Sequence, residues 1–449
     1  MRITLILILM ISFLAGFSQE KRIEFEEYDL DNGLHVIIHQ DNTTPIVNVS
    51  VLYHVGAKNE PEGRKGFAHF FEHLMFEGSP NIQRGDFFKI IESAGGQLNA
   101  NTSNDRTFYY ETLPSHQLEL GLYMESERML HATIDSTGVA TQKEVVKEEK
   151  RRGVDNRPYG TILEETFKRV FEDTPYEWTT IGEFGDIDAA TEADFKNFFE
   201  TFYVPNNATL SIAGDIDVAS TKKLVEKYFG DIPKGTKEIP RPEVEMKELG
   251  VVQAEVFDNI QLPAVIHAYQ MAEQGSEDYY AMQMLTTLLS GGQSSRFQKE
   301  LVDDQELAVF VGSFPFAMED AGVFIAFGML NMGKSPEDLA SGMDAEISKV
   351  KTGSIDDKEF QKLRNQIENQ FVSSNSTMRG IAESLADYHV YFGDADLINS
   401  EIDRYMAVTK EDLQRVAKKY LDPSKRVELT YLPKSAQQKP EGEEVKDNK

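Results

Sequence analysis

Residues 66–78 read Gly-Phe-Ala-His-Phe-Phe-Glu-His-Leu-Met-Phe-Glu-Gly and carry the most specific chemical pattern in the chain. Their apolar periodicity predicts a helix from about 66 to 76, on which His69 and His73 project from one face with Glu72 beside them. Burying two imidazoles and a carboxylate among phenylalanines is costly without a cation. The stretch therefore predicts a metal site. The alternative is two core histidines with backbone partners and Glu72 on a solvated face.

The order His-x-x-Glu-His is the inverted zincin signature, whose glutamate serves as general base by analogy with the zincins. A hydrolytic zinc needs three protein ligands and one open position. Since the chain has no cysteine, the third ligand must be a histidine or a carboxylate. If residues 142–152 form a helix, Glu149 shares an inward stripe with Val145 and Val146, whereas Glu148 faces water. Glu149 is therefore the predicted third ligand, against the alternative of a charged, solvated helix.

The composition excludes some classes of function. The chain has 449 residues and a formal net charge of −29, which argues against a nucleic-acid-binding surface. A hydrophobic content of 40% is typical of a globular protein, and the length suggests two or three domains. The negative charge is compatible with a mild preference for basic peptides or with solubility alone.

The N-terminus has the pattern of an export signal. Arg2 precedes a mostly apolar run over residues 3–14, and the small residues Ala15, Gly16 and Ser18 follow. This pattern predicts a cleavable signal peptide over residues 1–18, since the run is too short to anchor the chain across a bilayer. No later stretch is apolar enough to span a membrane, so we expect a periplasmic or secreted protein.

Two segments indicate an internal duplication. Thr191 to Phe195, followed by Tyr203, Pro205 and Leu210, recur as Thr409 to Leu413, followed by Tyr420, Pro423 and Leu429. The offset from Thr191 to Thr409 is 218 residues, and the later residues follow at nearly the same spacing. Each copy has a helix cap, a helix, a proline break and a strand. The repeat predicts two similar domains, whereas the alternative is two unrelated helix–strand junctions.

The coarse secondary structure is α+β. We expect paired strands over 28–56, further strands over 98–110 and 208–214, and helices over 66–76, 86–94, 118–134 and 141–150. The predicted organisation is an N-terminal metal-binding domain at 19–235, a Pro-, Gly- and charge-rich linker at 236–247, a homologous C-terminal domain at 248–433 and a disordered tail at 434–449.

Taken together, the motif, the 76-residue interval from His73 to Glu149 and the duplicated halves resemble the insulinase/pitrilysin metallopeptidases, in particular their processing-peptidase-like bacterial members. The supporting motifs are Gly95 to Thr102, Asp105, Thr107, Tyr109-Tyr110, residues 156–160 and residues 203–207. The resemblance covers nearly all of the chain after residue 18. It implies two homologous domains, each a mainly antiparallel sheet packed with helices.

The resemblance also implies a function. It assigns His69, His73 and Glu149 as ligands of one Zn²⁺ per chain and Glu72 as the base that activates a water for hydrolysis of peptides or unfolded segments. Some family members carry a glutamate where this chain has Gln142, so an auxiliary acid at that position is not expected here.

The resemblance further implies that the stretch from Leu98 to Thr102 is a substrate-binding edge strand. Asn99, Ala100, Asn101 and Thr102 would then bind a peptide that adds to the sheet through its backbone. The alternative is an ordinary strand whose asparagines belong to a turn.

Single-chain active members carry an Arg and a Tyr seven residues apart, which stabilise the oxyanion. This chain has Val302 and Val309 at those positions, and neither valine side chain can donate a hydrogen bond. Arg296 is no substitute, because the family already has a structural arginine there. We therefore expect a homologous zinc-free partner subunit that supplies the Arg/Tyr pair. A non-catalytic peptide-binding or structural subunit is the alternative function.

Overall fold

Two sheets with matching strand orders form the core of the computed structural model, which describes residues 22–353 and 355–437. The predicted signal peptide and residues 438–449 of the predicted tail lie outside the described residues. The strands are β1 Glu26–Asp29, β2 His35–Gln40, β3 Ile46–Tyr53, β4 Gln97–Thr102, β5 Thr107–Pro114, β6 Ala208–Gly214, β7 Val252–Asp258, β8 Ala264–Met271, β9 Ala308–Ala317, β10 Gly322–Leu330 and β11 Val427–Pro433.

The helices lie between β3 and β11 in the chain. They are α1 Phe67–Leu74, α2 Asp86–Ser93, α3 Leu118–His131, α4 Ser136–Lys150, α5 Ile162–Val170, α6 Phe184–Ala189, α7 Glu192–Phe202, α8 Val218–Phe229, α9 Glu277–Ser290, α10 Pro336–Thr352, α11 Asp357–Ser374, α12 Met378–Phe392, α13 Glu401–Ala407 and α14 Lys410–Tyr420. The expected α+β class, with two similar domains, is confirmed.

The duplication is visible in the topology. The first sheet has the order β1-β2-β6-β3-β5-β4, and the second has the order β7-β11-β8-β10-β9. Apart from the additional edge strand β1, each strand of the first sheet has a counterpart in the second. In both sheets one neighbouring pair is parallel, β2 with β6 and β7 with β11, and the remaining pairs are antiparallel.

The repeated threonines cap equivalent helices. Thr191 Oγ1 accepts a hydrogen bond from the Asp194 backbone N–H at the start of α7, and Thr409 Oγ1 does the same for Asp412 at the start of α14. Both aspartates return a hydrogen bond to the threonine backbone, so both sites are complete capping boxes.

One predicted strand is divided in two. The stretch expected as a strand over 98–110 contains a turn at residues 103–106, which separates β4 from β5. Ser103 donates its backbone N–H to Arg106 O, and its hydroxyl accepts from the backbone N–H groups of Asp105 and Arg106. This side-chain hydrogen bonding to the backbone favours the turn over a continuous strand.

The two halves exchange helices. The helix α5 of the first half packs on the second sheet through Phe167 and Val170, and its counterpart α12 packs on the first sheet through Ile381 and Leu385. Residues 230–251, which include the predicted linker, contain no helix or strand. Each sheet is therefore covered by a helix from the other half, and the two halves are joined by reciprocal apolar contacts.

A buried ionic network also joins the halves. The ammonium of Lys58, which precedes α1, lies 3.2 Å from Asp105 Oδ1 and within 2.8 Å of carboxylate oxygens of Glu319 and Asp320 in the β9–β10 turn. His54 Nε2 lies 3.1 Å from Glu319 Oε2. The turn of the second half is therefore fixed against the segment that leads into α1.

Among the described residues, no helix is both long enough and apolar enough to cross a membrane.

Candidate metal centre

The helix α1 is held at its N-terminus by the buried carboxylate of Glu60. Glu60 Oε2 accepts from the Gly66 backbone N–H at 2.8 Å and from Trp178 Nε1 at 2.7 Å, and Oε1 accepts from the Ala68 N–H at 2.8 Å. Burial raises the pKa of Glu60 to about 8, while the two backbone hydrogen bonds oppose the rise. The first turn of α1 thus has partners for N–H groups that a helix leaves unpaired.

Gly66 is required by close packing at the same end of α1. Its φ is +95°, and a Cβ at this position would lie 2.9 Å from the Cα of Gly182. A side chain would therefore be strained by the backbone conformation and would collide with the neighbouring loop. This contact keeps the Trp178 loop against the start of the helix.

The three predicted ligands converge. The Nε2 atoms of His69 and His73 are 3.3 Å apart, His73 Nε2 lies 3.3 Å from Glu149 Oε2, and His69 Nε2 lies 3.8 Å from Glu149 Oε1. Tetrahedral zinc with ligand distances of 2.0–2.2 Å places its ligand atoms about 3.4 Å apart. The donor set, two imidazoles and one carboxylate, is one that catalytic zinc sites use, so the residues fit the ion.

Glu149 reaches the histidines from α4, which packs against α1. The facing argument holds for Val146, which is buried, but not for Val145, whose side chain is 44% exposed. Glu149 is itself 48% exposed, so it lies at the rim of the core and not within an apolar stripe. A rim position is compatible with an ion that must also be accessible to water and substrate.

Each of the three ligands affects the pKa of the others. Burial lowers the pKa of His69 to about 4, the nearby charge of His73 adds to this, and Glu149 opposes it. Burial alone would lower the pKa of His73, but the adjacent Glu149 carboxylate raises it above its ordinary value. The hydrogen bond with His73 lowers the pKa of Glu149 against the effect of burial. The pair His73–Glu149 therefore behaves as an ion pair, while His69 is held neutral.

Glu72 lies on the same helix and contacts the edge of the first sheet. Its Oε2 accepts a 2.5 Å hydrogen bond from the hydroxyl of Thr102, the last residue of β4. Burial raises the pKa of Glu72, and the Thr102 hydrogen bond opposes the rise. A carboxyl whose pKa is raised holds a proton more readily than an ordinary glutamate, which suits a group that must accept and release one.

The strand β4 is an edge strand, since only β5 pairs with it among the described residues. Asn99 and Asn101 are exposed, whereas Ala100 and Thr102 are half-buried. The Asn99 carbonyl oxygen accepts from the backbone N–H of Ala100 at 3.0 Å. An incoming strand that binds this N–H would have to displace the Asn99 side chain.

Gln142 forms a hydrogen bond with the carboxylate of Glu77. Its Nε2 donates to Glu77 Oε1 at 2.6 Å, and Glu77 Oε2 lies 2.5 Å from Arg84 Nε. Gln142 also lies within hydrogen-bonding distance of His73. The carboxylate in contact with Gln142 is that of Glu77.

The positions expected to lack oxyanion donors lie in the second half. Val302 is half-buried in a π-helical turn at Gln298–Asp304, and Val309 is 47% exposed on the edge strand β9. Arg296 forms a two-pronged ion pair with Glu359, with N–O distances of 2.9 and 2.7 Å. Its guanidinium is therefore engaged, in agreement with a structural role.

Sequence reasoning missed the residues that support the site. Glu60 lies six residues before the helix N-cap, which is not the spacing of a capping box, so no local pattern identifies it. Arg128 and Glu125 are fully buried in α3 as an ion pair of 2.8 Å, with the guanidinium 4.8 Å from the ring centre of Phe76. Their burial depends on the packing of α3 against the sheet.

Comparison with known proteins agrees with this geometry. Residues 35–182 match the sequence profile described as "Insulinase (Peptidase family M16)", and residues 189–367 match "Peptidase M16 inactive domain". The chain is 33% identical to a protein named zinc protease PqqE from Helicobacter pylori, over 88% of this chain and 90% of that protein. It is 24% identical to the beta subunit of the mitochondrial-processing peptidase of Blastocladiella emersonii, over 87% and 85% of the two chains.

A solved structure gives the same result. The crystal structure of a protease from Helicobacter pylori superposes with a TM-score of 0.87 at 30% sequence identity, covering 92% of this chain and all of that one. The profile matches, the identity over nearly full length and the shared fold are consistent with each other. The chain therefore belongs to the insulinase family of zinc peptidases, peptidase family M16.

Proposed function

We propose that this protein is a zinc endopeptidase that hydrolyses peptides or unfolded segments. The observation that carries the proposal is the convergence of His69, His73 and Glu149, with donor atoms 3.3 to 3.8 Å apart, next to the carboxylate of Glu72. The names of relatives as zinc proteases support the same assignment. A peptide-binding scaffold would have no need for all four groups.

When bound by the two histidines and Glu149, zinc supplies Lewis acidity that lowers the pKa of water and polarises a peptide carbonyl. Glu72 accepts the proton of the attacking water and delivers it to the leaving amine. The hydrogen bond from Thr102 to Oε2 fixes the orientation of the Glu72 carboxylate and leaves Oε1 to accept the proton. His69, held neutral by burial, keeps a nitrogen lone pair for the ion.

The substrate binds in an extended conformation along β4. The outward backbone groups from Asn99 to Thr102 pair with the peptide, and the strand runs directly into the Thr102–Glu72 contact. Recognition through the backbone leaves the enzyme tolerant of substrate sequence. The Asn99 amide, freed from the Ala100 N–H, then becomes available to the peptide near the scissile bond.

Full activity requires a second, homologous subunit. Valines stand at positions 302 and 309, so the second half of this chain offers no hydrogen-bond donor from those side chains to a developing oxyanion. Support for a paired assembly comes from the beta subunit of a mitochondrial-processing peptidase, whose name describes one part of a complex. The N-terminal signal-peptide pattern supports export to the periplasm or the outside of the cell.

The decisive experiment replaces Glu72 by Gln. The purified chain, alone and with a co-encoded family member, is assayed on unfolded peptides while zinc content is measured. Glu72→Gln should keep the metal and lose cleavage by a hundredfold or more, since the base is gone but the ligands remain. Unchanged turnover would refute the role of Glu72 as the base. Wild-type protein that cleaves no peptide, either alone or with the family member, would favour the alternative, a non-catalytic peptide-binding subunit. Full activity of the isolated chain would refute the heterodimer.

A further inference from the structure

A second cluster of metal-binding side chains shares no residue with the candidate metal centre. It consists of Glu27 on β1, His35 on β2 and His389 on α12, and one potential ligand atom of each lies within 4.8 Å of the others. We propose that this cluster binds a divalent cation of the zinc type and joins the first half of the chain to the second. The proposal does not depend on peptidase activity.

The hydrogen bonding of His35 is that of a metal ligand. Its Nδ1 lies 2.8 Å from Asp29 Oδ1, and because a carboxylate only accepts, Nδ1 carries the proton in this bond. In a neutral ring Nε2 then has a free lone pair. A carboxylate that fixes the tautomer of a histidine and directs its second nitrogen to an ion is the usual surrounding of histidine ligands.

The Nε2 atom of His35 has no hydrogen-bond partner among the described residues. It is buried and makes no hydrogen bond, although Glu27 Oε2 lies 3.4 Å away. A nitrogen lone pair facing a carboxylate oxygen at this distance is repulsive unless a cation or a proton lies between them. A divalent ion satisfies both groups at once, and the additional charge of Asp29 favours its binding.

His389 supplies the third ligand from the other half of the chain. Its ring stacks on that of His35, with centroids 3.4 Å apart and the planes only 2° from parallel. Because lone pairs in parallel planes do not point at one ion, coordination requires one ring to turn about its Cβ–Cγ bond. The ring of His389 makes no hydrogen bond within the described residues, so this rotation breaks none.

The separations allow an ion of this size after a small adjustment. Tetrahedral zinc holds its ligand atoms about 3.4 Å apart, so ligand atoms as far apart as 4.8 Å would have to approach by about 1.4 Å. Glu27 is an exposed side chain on the edge strand β1 and is free to make that approach. The ion would thus cross-link the edge strand β1 to α12, the helix of the second half that packs on the first sheet.

The test is the zinc stoichiometry of the full chain. The protein is stripped of metal with a chelator, dialysed and titrated with Zn²⁺, and bound metal is counted by mass spectrometry. We expect two ions per wild-type chain, one for His389→Ala, one for His73→Ala and none for the double variant. His131→Ala, which changes an exposed histidine outside both clusters, is the matched control and should keep two.

The melting temperature distinguishes a variant that has lost the ion from one that has failed to fold. In the His73→Ala background Zn²⁺ should still raise the melting temperature, and adding His389→Ala or the milder Glu27→Gln should abolish that rise. One ion in the wild type, retained by His389→Ala, would overturn this proposal and leave the peptidase intact. Loss of all metal on His389→Ala with none lost on His73→Ala would instead refute the proposed catalytic site.

Discussion

The hydroxyl of Thr102 lies 2.5 Å from Oε2 of Glu72 and donates a hydrogen bond to it. This contact joins the last residue of the edge strand to the proposed base. It also opposes the rise in the pKa of Glu72 that burial causes. A peptide that adds to β4 would therefore be placed by the same strand that orients the carboxylate.

The first prediction concerns this contact. Thr102→Val keeps the shape of the side chain but removes the donor, so kcat should fall about tenfold, the equivalent of one hydrogen bond of about 1.4 kcal/mol to a charged group. Zinc content should not change. Thr102→Ser keeps the hydroxyl and should retain most of the activity. Equal rates for the Val and Ser variants in a steady-state assay would show that the hydrogen bond has no catalytic role.

The second prediction concerns the carboxylate that caps α1. Glu60→Gln replaces one acceptor oxygen by an NH₂ group, which faces donors from the backbone or from Trp178. The loss should lower the free energy of unfolding by about 1 to 3 kcal/mol and weaken zinc binding, because the helix that holds both histidines frays. Urea denaturation and a competitive zinc titration measure the two effects.

The matched control for Glu60 is Glu62→Gln, which changes an exposed carboxylate two residues away. It should alter neither stability nor metal affinity. If Glu60→Gln behaves like Glu62→Gln, the cap does not support the site.

The third prediction tests the ionic network between the halves. Lys58→Met leaves the carboxylates of Asp105, Glu319 and Asp320 close together without their buried cation. We expect a loss of about 3 kcal/mol in the free energy of unfolding, because breaking a buried ion pair leaves an uncompensated charge. Calorimetry or urea unfolding of the purified chain gives this value.

Lys65→Met is the comparison for Lys58. The ammonium of Lys65 is partly exposed and lies 3.8 Å from Glu177, so its removal should cost less than about 1 kcal/mol. Similar losses for the two variants would mean that burial of the Lys58 network adds nothing to stability.

The parts of the fold that the sequence predicted are those with a local pattern. The Thr-x-x-Asp capping boxes at Thr191 and Thr409 predict equivalent helices, and their recurrence predicts that the domain is repeated. The metal ligands are predictable for a similar reason. His69 and His73 are one helical turn apart, so their convergence follows from helix geometry alone.

What the sequence did not predict depends on contacts between distant residues. The exchange of α5 and α12 between the sheets has no signal in either helix, since each is amphipathic whichever sheet it covers. The turn between β4 and β5 is an exception, because its cause is local: the Ser103 hydroxyl accepts from the backbone N–H groups of Asp105 and Arg106, and residues 103–105 are of turn-forming types. The exposure of Val145, by contrast, depends on where α4 lies.

The fourth prediction concerns pH and the contact between α12 and the first half. Asp387 on α12 lies 3.1 Å from Arg106 Nε, and Arg106 Nη2 lies 2.6 Å from Glu383. Burial raises the pKa of Asp387 to about 6 although Arg106 opposes the rise. The folded state therefore binds this proton more tightly than the unfolded state, where the pKa is near 3.8.

The sign of the pH effect follows from this difference. The contribution of Asp387 to stability is fully present below pH 4 and is lost as the pH rises through 6. Asp387→Asn does not titrate, so its stability relative to the wild type should increase from pH 4 to pH 7. The full shift corresponds to about 3 kcal/mol, but the side chain is 30% exposed, so we expect about 1 to 2 kcal/mol. Urea unfolding of both proteins at several pH values measures the difference in stability. A difference that stays constant with pH would show that the Arg106 ion pair keeps Asp387 ionised throughout. Asp396→Asn is the control, because Asp396 is an exposed carboxylate that is also paired with an arginine but has a lowered pKa.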